Sequence, residues 1–529
     1  MKLKASSFSA ITLAAVTQLA IAASMAPPAI TTEGSVRGKR EGSVDAYLGI
    51  PYARPPIGNL RWRSPERAEP WKGVRDATRF GTNCYQAAPA RFGPFTTEFL
   101  ISLPVTEDCL YLNAWTPAER TKSLPVFVWI HGGGFGSGSG SVPIYDGASL
   151  ASRGVVVINM NYRLGVFGFL AHPELTKESA EHSSGNYGLQ DIIAALKWVR
   201  SNVAHFGGDP ARVTIAGQSA GAAAVNDLLM SAEAKGLFQY AIAQSGSGMG
   251  LAPKKLSDAE AVGVAFIKAA GASAIADLRK MSAEAVFNVK LPPPAENSGN
   301  PAPRISFAPN IDGSVLVANP ERGQLLPQSN VPLLTGFNAD ETGLDGIKKT
   351  TGPEFEAYMR RLYGAFAARF LTLYPHATNA EASKSMNELI RDRYMAGLLL
   401  WTEERVMATD EPVYTYLFDH PYPGPEVDQY GTFHTAEVPY VFGVLQQSGR
   451  VFSKADQQVS DQLQRYWTNF LSSGNPNGPG LKLWSKAPMP EAKVMGLGDK
   501  VGPRLAISSL QRMMVFREYS GHGGKLSLF

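Results

Sequence analysis

Residues 213–221 read VTIAGQSAG, an apolar β-branched run that passes through glycine, glutamine, serine, alanine and glycine into an alanine-rich stretch. This pattern restricts the chain more than any other. Glycines at 217 and 221 around Ser219, with a strand pattern before and a helix pattern after, describe a nucleophile elbow. In such a turn a strained serine holds its Oγ above the end of a sheet, beside a helix N-terminus. G-x-S-x-G alone is common; its weight here comes from what flanks it.

A strand that ends in such a turn needs a sheet around it. Short β-branched or apolar runs at 126–130, 155–160, 213–216, 240–243, 332–336 and 413–418 have the length of buried strands. Helical patterns lie between them, for example 190–203 with Ile192, Ala195, Leu196 and Val199 on one face. Alternating strand and helix predicts an α/β fold, a large mostly parallel twisted sheet with helices on both faces. Residues 257–289 are Ala-rich and helical, 291–303 form a Pro-rich loop (LPPPAENSGNPAP), and 353–407 are helical again. These read as inserted helices that cap a pocket. With no internal repeat and no sharp break in composition, residues 23–529 read as one domain with insertions.

The N-terminal segment is a separate matter. Lys2 and Lys4 precede an apolar stretch over 8–23 that ends in Ala20-Ile21-Ala22, so residues 1–22 are expected to be a cleaved signal peptide and the protein to be secreted or periplasmic. No other stretch is long and apolar enough to span a bilayer. The formal charge is +4, with basic residues scattered rather than gathered in a stripe, which gives no footprint for nucleic acid. The only cysteines, Cys84 and Cys109, are expected to pair in an oxidising compartment. They lack C-x-x-C or clustered-His company, so no metal is expected, and no cofactor pattern is present. The oligomeric state is not legible.

A serine at its normal pKa attacks only with a base to take its proton and a carboxylate to orient the base. His131-Gly132-Gly133-Gly134-Phe135 follows the strand at 126–130 directly, and its glycines can bring backbone N–H groups to a developing oxyanion. Gly133, Gly134 and Ala220 are the three expected donors. After the strand at 332–336 comes FNADETG, which offers both Asp340 and Glu341 as the acid. His434, in GTFHTAEVPYVF after the strand at 413–418, is the base candidate, because His131, His172, His182 and His205 precede the nucleophile or belong to the oxyanion turn. His376, His420 and His522 lack such surroundings.

Several motifs, in order along nearly the whole of 23–529, resemble the type-B carboxylesterase family, which includes cholinesterases, non-enzymatic adhesion relatives and bacterial para-nitrobenzyl-esterase-like members. They are YLGIPYARPPIGNLRW from Tyr47, TEDCLYLNAW from Thr106, VFVWIHGGGF from Val126, NYRLGVFGFL from Asn161, GNYGLQD from Gly185, FGGDPARVTIAGQSAG from Phe206 and AIAQSGS from Ala241. The resemblance implies an α/β-hydrolase fold and hydrolysis of a small-molecule carboxylic ester by Ser219, Glu341 (rather than Asp340) and His434. It also implies a Cys84–Cys109 loop, ion pairs Arg61 with Glu107 and Arg163 with Asp191, and Ser245 as a hydroxyl near the acid.

Departures from the cholinesterase pattern bear on substrate. Gln218 precedes the nucleophile where that branch has a carboxylate. Thr342, Gly343, Leu344 and Asp345 follow the acid without an aromatic pair, and the disulfide loop has Phe92, Phe95 and Phe99 but no Trp. Choline esters, which need cation–π contacts, are therefore not expected. In PRISF before PNIDG, Pro303, Ile305 and Phe307 are expected to line an acyl pocket roomier than one shaped for acetyl. A lipase and a non-catalytic adhesion relative are the competing readings; an intact set of serine, acid, histidine and oxyanion glycines weighs against the second.

Overall fold

The computed structural model describes residues 24–102, 104–120, 122–248, 252–291, 307–320, 327–341 and 346–526. The segment 1–22 and residues 292–303 of the Pro-rich loop lie outside the described residues. One sheet of 12 strands dominates. In chain order its strands are β1 Ser24–Met25, β2 Lys39–Glu41, β3 Val44–Pro51, β4 Tyr111–Pro117, β5 Leu124–Ile130, β6 Val156–Met160, β7 Gly208–Gln218, β8 Tyr240–Gln244, β9 Leu333–Asn338, β10 Val413–Phe418, β11 Lys493–Leu497 and β12 Gly502–Leu505. Their order across the sheet is β1-β2-β3-β4-β6-β5-β7-β8-β9-β10-β11-β12. Every pairing from β6 through to β11 is parallel. The flanks, β1 to β6 and β11 to β12, are antiparallel. The sheet is therefore mixed: a parallel centre between antiparallel edges. All six runs expected as strands lie in the parallel centre; the antiparallel flanks carry the strands that local pattern did not single out.

Alternation of side chains along a strand explains why both faces are covered. In β5, Val126, Val128 and Ile130 enter a core shared with Leu189, Ile192 and Leu196 of α1 (Tyr187–Asn202) and with Val225 and Leu228 of α2 (Ala220–Met230). The intervening Phe127 and Trp129 enter a second core with Leu463, Trp467 and Phe470 of α6 (Lys454–Ser473). The inserted blocks form α3 (Leu256–Ala269) with two short helices, and α4 (Gly352–Tyr363) and α5 (Asn379–Ala408). α3 packs against Phe167 and Leu170, whereas α4 and α5 pack with Phe337 of β9 and Leu417 of β10. Thr351 and Thr378 close capping boxes with Glu354 and Glu381, which satisfy the first amides of α4 and α5. No helix of the described residues is long and apolar enough to cross a membrane.

Two buried ion pairs tie loops to this frame. The Arg163 guanidinium grips Asp191 through Nε (2.8 Å) and Nη2 (2.7 Å), while its own backbone N–H donates to the same carboxylate. Arg61 forks onto Glu107 at 2.6 and 2.5 Å and donates to the carbonyls of Leu278 and Met281. Such bidentate pairs are directional, and each buried charge is matched where it sits.

Cys84 and Cys109 are joined across a sequence separation of 25, with Cα atoms 4.9 Å apart. Closing a loop of that length restricts the unfolded chain by about 3–4 kcal/mol in the chain-entropy picture. The native protein is expected to show no thiol reactive with Ellman's reagent, and reduction should lower the midpoint of chemical unfolding by a corresponding amount. Two titratable thiols in native protein would contradict the pairing.

Candidate active site

β7 carries the chain to the turn at Ser219, and backbone contact leaves no room there for larger residues. A Cβ on Gly217 would lie 2.4 Å from the backbone of Gly221, and one on Gly221 would lie 2.1 Å from the Ile130 carbonyl at the end of β5. Between them Ser219 sits at φ 58°, ψ −124° and serves as the N-cap of α2. That backbone region costs about 1–3 kcal/mol and persists only where its surroundings enforce it. Here the Ser219 N–H donates to the Gln244 carbonyl of β8 (2.9 Å) and the Ser219 carbonyl accepts from Ala223 (2.9 Å). Among the described residues Ser219 Oγ has no hydrogen-bond partner.

The turn after β5 lies alongside. Gly133 (φ 109°) and Gly134 (φ 62°) take conformations that side chains resist, and a Cβ on Gly133 would lie 2.2 Å from the Ser137 carbonyl. The Gly133 carbonyl accepts from Gly136 and Ser137, while the N–H groups of Gly133 and Gly134 donate to no described residue. The N–H of Ala220 is one of the first helix amides, which α2 itself leaves unpaired. His131 holds this turn: its Nδ1 lies 2.8 Å from the Gly132 carbonyl, its ring stacks on Tyr162 at 4.4 Å, and the Tyr162 hydroxyl donates to the His131 carbonyl. The carbonyl on Nδ1 fixes the proton there.

His434 and Glu341 meet across the loops that follow β10 and β9. Glu341 Oε2 contacts His434 Nδ1. Its other oxygen accepts from Ser245 Oγ (2.5 Å) and from the Asn338 backbone N–H (2.8 Å), so the carboxylate is buried and fixed. Asp340, its neighbour in sequence, points elsewhere. Its carboxylate accepts from the Thr432 N–H (2.9 Å), and its own N–H donates to the Thr432 carbonyl (3.1 Å). Asp340 thus braces the backbone two residues before His434, whereas Glu341 holds the imidazole. Burial penalises the His434 imidazolium, yet the adjacent Glu341 carboxylate, their hydrogen bond and Glu437 outweigh it and leave the group above the ordinary imidazole range.

Two neighbours have contacts here that the sequence pattern did not assign to them. The Gln218 amide nitrogen is 3.2 Å from His434 Nε2 and 3.4 Å from Nδ1. An in-plane approach to both nitrogens at once would run into the carbon between them, so the amide lies over the face of the ring. Thr435 Oγ1 donates to Gln218 Oε1 (3.1 Å) and steadies it. Behind the acid, Glu437 is buried and accepts from Gln244 Nε2 (3.0 Å) and Asn338 Nδ2 (2.6 Å). Burial first, and then the nearby Glu341 charge, raise its pKa. A carboxylate before the apolar run VPYVF was the available hint.

Of the residues expected at an acyl pocket, Pro303 and Ile305 lie outside the described residues, as do Thr342, Gly343, Leu344 and Asp345. Phe307 packs edge-to-face on Phe266 of α3 at 5.4 Å. Ser245, Arg61 with Glu107, and Arg163 with Asp191 all stand where the resemblance implied. Among the described residues no group of three or more His, Cys, Asp or Glu side chains is placed to hold a metal.

Comparison with known proteins gives a consistent picture. The sequence model of the carboxylesterase family matches residues 26–511. The chain is 35% identical over 487 residues to the fumonisin B1 esterase of Sphingopyxis macrogoltabida (89% of this chain, 86% of the relative). It is 36% identical over 468 residues to the para-nitrobenzyl esterase of Bacillus subtilis (85% and 90%). A solved PNB esterase structure superposes with a TM-score of 0.75 at 31% identity, covering 92% of this chain and 99% of that one.

His131 generates a pH prediction. Burial, only partly offset by the Gly132 carbonyl, pushes the ring down from 6.5 to about 4, so the folded protein keeps it neutral where the unfolded chain protonates it. The stability this gives is whole above about pH 6.5 and is lost as pH falls toward 4, amounting to about 3 kcal/mol. Urea unfolding between pH 6.5 and 5 should show a shallower pH slope for His131→Asn than for wild type; equal slopes would sink the assignment.

Proposed function

Because the chain belongs to the carboxylesterase family and is similar over most of its length to two esterases, we propose that Ser219, His434 and Glu341 form its triad and that turnover passes through an acyl-enzyme on Ser219. The observation that carries this reading is the Glu341–His434 contact, with the second carboxylate oxygen locked by Ser245 and Asn338, beside the strained Ser219 turn. Glu341 keeps the proton on Nδ1, which leaves Nε2 as the acceptor. Nε2 takes the Ser219 proton as Oγ bonds to the ester carbonyl carbon. The oxyanion then meets the N–H groups of Gly133, Gly134 and Ala220, which are oriented before reaction and need little reorganisation. Collapse breaks the ester bond, and the alcohol leaves with the proton from His434. Water repeats the sequence on the acyl-enzyme and releases the acid. In the structure His434 is in contact with Gln218 rather than with Oγ; bonds between base and nucleophile commonly tighten only when substrate is bound.

The neutral Gln218 puts no charge beside the reaction and so gives no reason to favour cationic choline esters. The names of the two esterase relatives, which refer to fumonisin B1 and to para-nitrobenzyl esters, support bulky esters as the class to test. Export through cleavage after residue 22 fits the Cys84–Cys109 bond; N-terminal sequencing of protein from the periplasm or medium tests it.

Ser219→Ala should abolish hydrolysis of p-nitrophenyl butyrate with an unchanged circular dichroism spectrum. Glu341→Gln should cut kcat by about 10²–10⁴. It should also move the acidic limb of the kcat/KM profile to lower pH, because the neutral imidazole is the active form and its pKa loses the charge that raises it. Asp340→Asn should cost far less in kcat. A larger loss from Asp340→Asn than from Glu341→Gln would overturn the assignment.

A further inference from the structure

The loop closed by Cys84 and Cys109 reaches the catalytic histidine through aromatic rings. Phe95 and Phe99 both meet Phe433 edge-on, with centroids 5.6 and 5.7 Å apart, and Tyr422 completes the group at 5.6 Å from both Phe99 and Phe433. Phe433 is buried and immediately precedes His434. Its other side is set by the Asn338 side chain, which donates to its carbonyl, and by the Asp340 brace on Thr432. The position of His434 therefore depends on β9 from one side and on the disulfide loop from the other.

One side chain holds the loop in that place. Arg450 donates through Nε to the buried Glu98 (2.9 Å), through Nη2 to Thr96 Oγ1 (3.0 Å) and the Pro94 carbonyl (3.3 Å), and through Nη1 to the Pro423 carbonyl (2.7 Å). Its guanidinium lies 4.8 Å from the centroid of the Tyr422 ring. The absence of a side chain at Gly424 makes room for it: a Cβ there would sit 1.9 Å from Nη1. Only a planar fork with several fixed donors can join these groups at once, and no lysine could reproduce it.

We infer that Arg450 is a positioning residue of the reaction: by clamping Glu98 and Thr96 it presses the disulfide loop's phenylalanines onto Phe433 and so sets His434 relative to Ser219. The inference rests on His434 being the base. Without Arg450 the buried Glu98 carboxylate loses its matching charge, the loop tip moves toward water, and Phe433 loses one wall. A displacement of about an ångström at the imidazole is enough to cost about 10²-fold in rate.

The test is steady-state hydrolysis of p-nitrophenyl acetate by the full, oxidised chain, with active-site titration to count competent molecules. Per titrated site, Arg450→Met should lower kcat by about 10- to 100-fold with KM nearly unchanged and should move the acidic limb of the pH profile, since the Glu341–His434 geometry shifts with it. Arg450→Lys should restore part of the loss, because it keeps the charge for Glu98 without the fork. In a Phe433→Ala background Arg450→Met should add little, as expected if both act through the same contact. Gly424→Ala, which displaces the guanidinium without altering any charge, should reproduce the defect and serves as the comparison if Arg450→Met does not accumulate folded. Wild-type kcat and pH limb in a folded Arg450 variant, or losses that multiply in the double variant, would overturn the inference. Turnover retained by His434→Ala would instead overturn the triad itself.

Discussion

Everything at the site depends on how closely three backbones pass one another at the end of the sheet. The Ile130 carbonyl, Gly217 and Gly221 meet at distances that exclude any Cβ, and this contact forces the chain from β7 into α2 through the unfavourable geometry of Ser219. A serine in relaxed geometry would continue the strand or enter the helix with its side chain against a neighbour. The strain is held by bonds from two directions, the Gln244 carbonyl on β8 and the first turn of α2. The same crowding places the glycine turn after β5 next to Ser219. The proposed nucleophile and oxyanion donors are thus consequences of one packing constraint rather than separate inventions.

The proposed acid and base obey a second constraint, that of giving every oxygen of a buried carboxyl group a partner. Glu341 is out of water, and each of its oxygens is occupied: one by the imidazole, the other by a hydroxyl and a backbone amide. Glu437, close behind, is itself buried and accepts from the side-chain amides of Gln244 and Asn338. Burial first, and then its nearness to Glu341, raise the pKa of Glu437.

The legible and illegible parts of the sequence divide along physical lines. The elbow, the glycine turn and the strands of the parallel centre are local patterns, because a strand buried on both faces reads as a continuous apolar run. β3 does not: within the resemblance motif it carries Gly49 and ends at Pro51, and it pairs with β4 far along the chain. The choice between Asp340 and Glu341 needed the family resemblance, since both follow β9 and only the packing of the loop around Thr432 separates them. The contact of Gln218 with His434 spans 216 residues and that of Arg450 with Glu98 spans 352. No window along the chain contains both partners, and neither residue type announces its role alone.

The adjacent pair Asp340 and Glu341 has a consequence for length changes. One carboxylate grips the backbone that leads to the histidine and the next grips the ring, so the two functions are separated by a single step of the chain. Counted from Asn338, inserting one residue before Asp340 would offer the imidazole the wrong member of the pair, with a side chain one methylene shorter, and deleting Ala339 would offer it Thr342, which has no carboxylate. Loops ordinarily absorb insertions and deletions. This short turn is bound on both sides, and its spacing should be as rigidly determined as that of any strand in the sheet.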